Sequence, residues 1–159
     1  MNRDRFTWSP LPLRLIIGIG FMFHGYAKLF SSVGHNNFIM LLQDLGMPLP
    51  SLLAWLVGFV EFFGGLALLL GAFTSIAALL LIVDMLGAMF FVSLPHGFDM
   101  LQVTVMIEGG PKFGVPGLEI NLIYLAALIS LLLTGPGHLS LDGWLRARQG
   151  SAGHSVQPA

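Results

Sequence analysis

The chain has no cysteine, and only 9% of its 159 residues are charged. Without a thiol it has no disulfide framework, no thiolate nucleophile, no iron–sulfur ligands and no Cys-x-x-Cys-His site for covalent haem. Redox chemistry here must draw on a diffusible cofactor or a partner. The 7 basic and 8 acidic residues leave a net charge of −1 and form no basic patch or charged run, which sets nucleic acid aside as a partner. Soluble domains carry roughly 25% charged residues. The scarcity of charge beside 55% hydrophobic residues therefore reads as an integral membrane protein, with the lipid bilayer as its first partner. Three of the few ionisable side chains, Lys28, Glu61 and Asp84, fall inside apolar runs. A charge in hydrocarbon is tolerated only where a partner or a polar cavity receives it.

Crossing a hydrocarbon core of about 30 Å takes about 20 apolar residues. Four stretches qualify, from about Leu11 to Phe30, Ser51 to Leu70, Ser75 to Leu94 and Leu118 to Thr134. They predict an all-α fold, an integral membrane four-helix bundle. Breakers separate them: Gly46-Met47-Pro48-Leu49-Pro50, Gly71-Ala72-Phe73-Thr74, Gly109-Gly110-Pro111 and Val115-Pro116-Gly117. The link between spans two and three is so short that those two must be antiparallel neighbours. The first span follows Arg3 and Arg5 as a signal peptide would, but it runs into His24 and Lys28 without a small-residue cleavage site and reads as retained. Arg3, Arg5, Arg14, Arg146 and Arg148 flank the chain ends, and Lys28 and Lys112 belong to the other side. Basic residues concentrate on cytoplasmic flanks, so both termini are expected in the cytoplasm and the loops 31–50 and 95–118 outside. Residues 1–11 then form a cytoplasmic N-terminal segment, 12–142 the four-helix domain, and 143–159 a cytoplasmic, disordered tail.

On span one, His24 and Lys28 are four apart and share a helix face with Phe21 and Gly25. Lys28 sits near the outer end, where its stem could equally snorkel to the headgroups. On span two, Ala54, Gly58, Glu61, Gly65 and Leu68 make one stripe of mostly small residues, which lets another helix approach closely. Glu61 is near the midplane. The Lys28 and Glu61 Cα positions differ in depth by roughly 10 Å, a gap two extended side chains can about cover, so a pair or water-bridged network is expected. Asp84 has no basic residue at its own depth and reads as a neutral structural acid, a hydrogen-bonded one, or one facing a wet cavity. Farther out, His96, Glu119 and Asn121 add polar groups, although a loop histidine and a first-turn glutamate are also ordinary solvated residues. His24 and His96 are the histidines near one depth, with His35 and His138 in loops, which is thin support for a b-type haem. No Glu-x-x-His pairs face each other, so no metal site is expected.

Several of these segments match one family. Arg14-Leu15 with Gly18, His24-Gly25-Tyr26-Ala27-Lys28-Leu29-Phe30, Gly46-Met47-Pro48-Leu49-Pro50, Glu61-Phe62-Phe63-Gly64-Gly65-Leu66-Ala67-Leu68-Leu69-Leu70-Gly71 and Thr134-Gly135-Pro136-Gly137-His138-Leu139-Ser140-Leu141-Asp142 together give a chain that resembles the DoxX family of small four-helix membrane proteins, over about 12–142. The resemblance implies a multi-pass protein of the bacterial inner membrane. Relatives include the membrane subunit of a thiosulfate:quinone oxidoreductase and a mycobacterial member proposed to act with superoxide dismutase and a sulfurtransferase in oxidative and thiol stress.

Two functions follow as expectations. In the first, the chain is a quinone-linked oxidoreductase component whose outer half binds a quinone or a small sulfur substrate. Glu61, Lys28 and His24 would then be the catalytic group, and Lys28, Glu61, Gly65, His96, Glu119 and Asn121 the binding set. A carboxylate or imidazole there could donate the protons that quinone reduction takes up, with electrons from a redox partner subunit. In the second, the chain is a non-catalytic anchor for a redox complex, or a homo-oligomer, and the polar cluster only fixes helix packing. A small carrier is a weaker third reading, because neither an inverted repeat nor paired broken helices is present.

Overall fold

The computed structural model describes residues 10–99, 103–107, 110–137 and 139–152. His138, and Glu108-Gly109 at the tip of the long loop, lie outside them. The elements are α1 (Pro10–Phe30), α2 (Ser32–Asp44), α3 (Pro50–Leu70), α4 (Thr74–Ala88), a π-helical turn (Met89–Ser93) with a 3-10 turn (Leu94–His96), β1 (Val103–Ile107), β2 (Gly110–Phe113), α5 (Leu118–Thr134) and α6 (Leu141–Ala152). Three helical runs, Pro10–Phe30, Pro50–Leu70 and Thr74–His96, are long and apolar enough to cross a membrane. The apolar α5, at 17 residues, is at the short end of what spans. The expected four-helix membrane bundle is what the chain forms.

The four helices make a ring, α1 on α3, α3 on α4, α4 on α5 and α5 back on α1. The α1–α3 contact is the closest, and glycine makes it so. A Cβ on Gly65 would lie 2.6 Å from the Gly18 carbonyl oxygen, and one on Gly25 would strike the Phe62 backbone. The buried face of α3 is Ala54, Gly58, Glu61, Gly65 and Leu68, the stripe that helical spacing picks out. The α3–α4 link is tight because Gly71, at φ 66°, closes α3 with its N–H on Ala67 and Leu68 oxygens.

One half of the bundle is solid. Ile17, Phe21, Leu68, Ala78, Leu81, Leu128 and Leu131 fill it. Arg14 closes its end, only 2% exposed. Its guanidinium donates to the oxygens of Leu68 (2.8 Å), Leu69 (3.0 Å), Pro136 (2.7 Å) and Leu139 (2.7 Å). The first two are among the last carbonyls of α3, where partners within the helix run out, the Leu68 oxygen also taking the Gly71 N–H at 3.1 Å. Arg14 was expected as a flanking charge and is instead an interior clamp. Beside it, the Asp142 carboxylate accepts from Phe73 N (2.8 Å), Thr74 N (3.0 Å) and Thr74 Oγ1 (3.1 Å). It caps α4 from a distant part of the chain, where Phe73, at φ 48°, offers no cap of its own. Asp142→Ala should lower stability by roughly 1–3 kcal/mol, read as an earlier thermal transition in detergent; an unchanged transition would remove the cap from this account.

Three segments differ from the sequence reading. The 31–50 loop holds α2, started by Ser31 Oγ accepting from Gly34 N at 3.2 Å, so His35 is helical. The 95–118 loop contains an antiparallel β1–β2 hairpin, in keeping with the β-branched run Val103-Thr104-Val105. The α6 helix occupies the start of the segment expected as a disordered tail, and residues 153–159 lie outside the described set.

Candidate functional site

The other half of the bundle holds a cavity of about 530 Å³. Its size falls in the usual range for small-molecule sites, roughly 300–1,000 Å³. Its walls are largely apolar, with α2 as the roof: Phe38, Leu41, Leu42 and Leu45 recur at helical spacing and face inward. Lys28, His24, Glu61, Asp84 and Asn121 interrupt the apolar lining.

Lys28 donates to Glu61 Oε2 at 2.6 Å, with the two side chains 14% and 10% exposed. The expected pair is therefore a direct ion pair. It forms because Gly58 lets the Lys28 stem pass, the Lys28 Cβ lying 3.1 Å from where a Gly58 Cβ would be. The ammonium also lies over the Phe38 ring, 4.7 Å from its centroid, a cation–π contact that ties the α2 roof to α1. His35 Nδ1 donates to the Lys28 carbonyl oxygen at 2.7 Å, and its ring packs 4.6 Å from Trp55. The roof is thus fastened at both ends of Lys28.

Asp84 is in the same cavity wall, within electrostatic reach of both Lys28 and Glu61. Of the three readings open for it in the sequence, the position is that of an acid facing a cavity. Depth along one helix does not say which helices adjoin, and α4 packs on α3. Asn121, 4% exposed, donates from Nδ2 to Met85 Sδ at 3.1 Å, and its Oδ1 has no partner among the described residues. The helix wall between them is shaped by the π-helical turn, which ends just before Pro95. Proline lacks an N–H and its ring crowds the carbonyl four residues earlier, here Phe91. The widened turn carries Phe91, Val92 and Ser93 along the cavity, and such π-turns are frequent at functional sites.

The remaining expected site residues are elsewhere. Gly65 is in the α1–α3 contact and serves close packing. His96 is exposed, its Nδ1 donating to the Val92 oxygen at 2.7 Å. Glu119 opens α5, its N–H bonded to the Phe98 oxygen at 3.0 Å. Neither is among the residues lining the cavity, and His96 is not brought to His24. Asp84, the α2 roof and Tyr124 are the parts that sequence reasoning missed or demoted.

The DoxX family model matches residues 9–94. The chain is 31% identical over 154 residues to "Uncharacterized membrane protein Rv3486" of Mycobacterium tuberculosis, covering 91% of this chain and 86% of the relative. It is 30% identical over 142 residues to "Putative oxidoreductase CatD" of Bacillus subtilis, covering 89% and 90%. No solved structure matches.

Proposed function

Because the chain belongs to the DoxX family of membrane proteins, we propose that it is the membrane component of a redox system of the bacterial inner membrane, holding the head group of a lipid-soluble quinone in the cavity beneath α2. The observation that carries this reading is the Lys28–Glu61 ion pair, 2.6 Å long, set in the wall of a largely apolar space inside the helical bundle. A structural pair alone would be packed over. This one faces a cavity that also receives Asp84 and Asn121.

The charge inventory separates a neutral ligand from a small sulfur anion. Glu61 already balances Lys28, so the wall offers an anion no spare positive charge. In a medium of low dielectric an uncompensated charge is costly. An uncharged ring meets no such barrier and gains from the apolar lining. A bound quinone supplies the two-electron, two-proton chemistry. The chain's part is to hold and orient the ring, exclude water, and keep Glu61, Asp84 and His24 where a proton can be moved. Electrons come from a partner subunit or a second substrate, since the chain has no thiol of its own.

Gly87 provides the test. It lines the cavity, and a Cβ there would meet nothing within 4 Å. Gly87→Leu should fill the space without disturbing the backbone and slightly favour the helix. Quinone extracted by solvent from mildly solubilised wild-type protein should approach stoichiometric amounts and fall at least about tenfold in the variant, the size of one lost apolar contact set, with the thermal transition retained. No quinone in the wild type, or equal amounts in both, would overturn the proposal.

A further inference from the structure

We infer that α6 is a membrane-surface helix, lying in the headgroup layer at the Arg14 end of the bundle and binding anionic lipid there. The inference goes beyond the quinone reading and does not depend on it.

The depth of α6 is set by its first turn. Asp142 caps α4 through its carboxylate, at Phe73 and Thr74, and donates its own N–H to the Gly71 oxygen at 3.0 Å. Just ahead of it, Arg14 holds the Leu139 oxygen. These partners mark the end of α3 and the start of α4, where two membrane-crossing helices leave the hydrocarbon. A helix begun there starts at the boundary between acyl chains and headgroups.

Beyond that turn α6 packs along none of the other helices. Leu141, Trp144, Leu145 and Arg148 follow the i, i+3, i+4, i+7 spacing of one helix face, and the three apolar members are 45–50% exposed. Leu139 and Phe73, on either side of the tether, are exposed too. Twelve residues make only a marginal helix in water, and no protein surface among the described residues supports this one. A bilayer interface does, because the apolar face sinks into the boundary while the opposite face stays wet.

The side-chain chemistry names the lipid. Tryptophan is the residue of the membrane–water interface. The Arg148 guanidinium lies over the Trp144 ring, 3.8 Å from its centroid, which puts a cation on the apolar face in the way a snorkelling side chain does. Asp142 is engaged in the α4 cap, and the other ionisable residues of α6, Arg146 and Arg148, are both basic. Such a helix fits headgroups of net negative charge. Lipid is favoured over a protein partner because the tether already sets the helix at the leaflet.

The test uses Trp144 as its own probe. Trp8→Phe/Trp55→Phe leaves it the sole tryptophan of three. In vesicles of equimolar phosphatidylglycerol and phosphatidylcholine, its emission should be quenched by lipids brominated on the acyl chains and shielded from aqueous acrylamide. Brominated phosphatidylglycerol should quench more than brominated phosphatidylcholine, to an extent matching at least about a threefold preference for the anionic lipid, and Arg146→Gln/Arg148→Gln should bring that preference to about one. A Trp144 open to acrylamide and untouched by bromolipid would place the helix in water and overturn the inference. Shielding from both reagents would mean that a second copy or another protein covers the face, and equal quenching by the two lipids would remove the anionic preference; either overturns it. The cysteine-free chain gives a second reading that keeps the native tryptophans. Nitroxides on Leu145→Cys, and on Gly150→Cys across the helix by its spacing, should differ, the first colliding more with oxygen and the second with a water-soluble nickel chelate. Identical profiles at the two positions would overturn the inference even if the tryptophan variant does not fold.

Discussion

Arg14→Met should destabilise the folded protein severely. The substitution keeps most of the side-chain volume but withdraws the donors from four carbonyl oxygens, those of Leu68, Leu69, Pro136 and Leu139. The Leu68 oxygen keeps the Gly71 N–H at 3.1 Å, and each of the other three costs about 1–3 kcal/mol if left unsatisfied, so the sum is on the order of 3 kcal/mol or more, a large part of a typical 5–15 kcal/mol of stability. Arg14→Lys should recover only part, because an ammonium is a point donor and cannot reach both α3 and the 136–139 turn as a planar fork does. Size-exclusion profiles and thermal transitions of the three proteins in one mild detergent give the comparison. A monodisperse Arg14→Met protein melting near the wild-type temperature would show that the clamp is dispensable.

The second large effect concerns the cavity's own charges. Removing one partner of a buried ion pair costs about 3–5 kcal/mol, whereas replacing both by apolar groups is often neutral or stabilising. Lys28→Met should be the worse single change, since it leaves Glu61 and Asp84 facing one cavity with no cation between them. Glu61→Leu should be milder, because Asp84 remains within electrostatic reach of Lys28. The Lys28→Met/Glu61→Leu double variant should regain most of the lost stability yet bind no quinone. This pattern separates the site from a mere packing device. A double variant that is both stable and fully able to bind would assign the pair to packing alone, as the anchor reading expects. Singles no less stable than the double would deny the ion pair any energetic weight.

How much of this was legible in the chain depends on the kind of information involved. The spans, the α3 stripe through Glu61 and the Lys28–Glu61 partnership are written in periodicity, depth and side-chain reach, all of which one sequence carries. Spacing leaves three readings open for Asp84, and its place in the cavity wall is decided by which helices adjoin, which spacing does not carry. Arg14 looked like a headgroup-facing charge, since a count of basic residues near the chain ends cannot distinguish a surface arginine from one folded under a C-terminal turn. The α2 roof was overlooked within a nominal loop, although Phe38, Leu41, Leu42 and Leu45 already showed a helical apolar face. The orphaned Asn121 oxygen could be found only once Met85 was seen to occupy the amide's other side.

The most direct test of the central claim is photo-crosslinking in native membranes with an alkyl quinone carrying a small photoreactive group on the ring, followed by peptide mapping. The account predicts adducts on cavity-lining residues of α1, α4, the π-helical turn and α5, such as His24, Gly87, Phe91 and Tyr124, and their loss when unlabelled quinone is added in excess. Adducts confined to the outward aromatic ladder of Trp55, Phe59 and Phe63, residues 44–50% exposed, and insensitive to competitor would show a quinone merely dissolved in the surrounding lipid, and would contradict it.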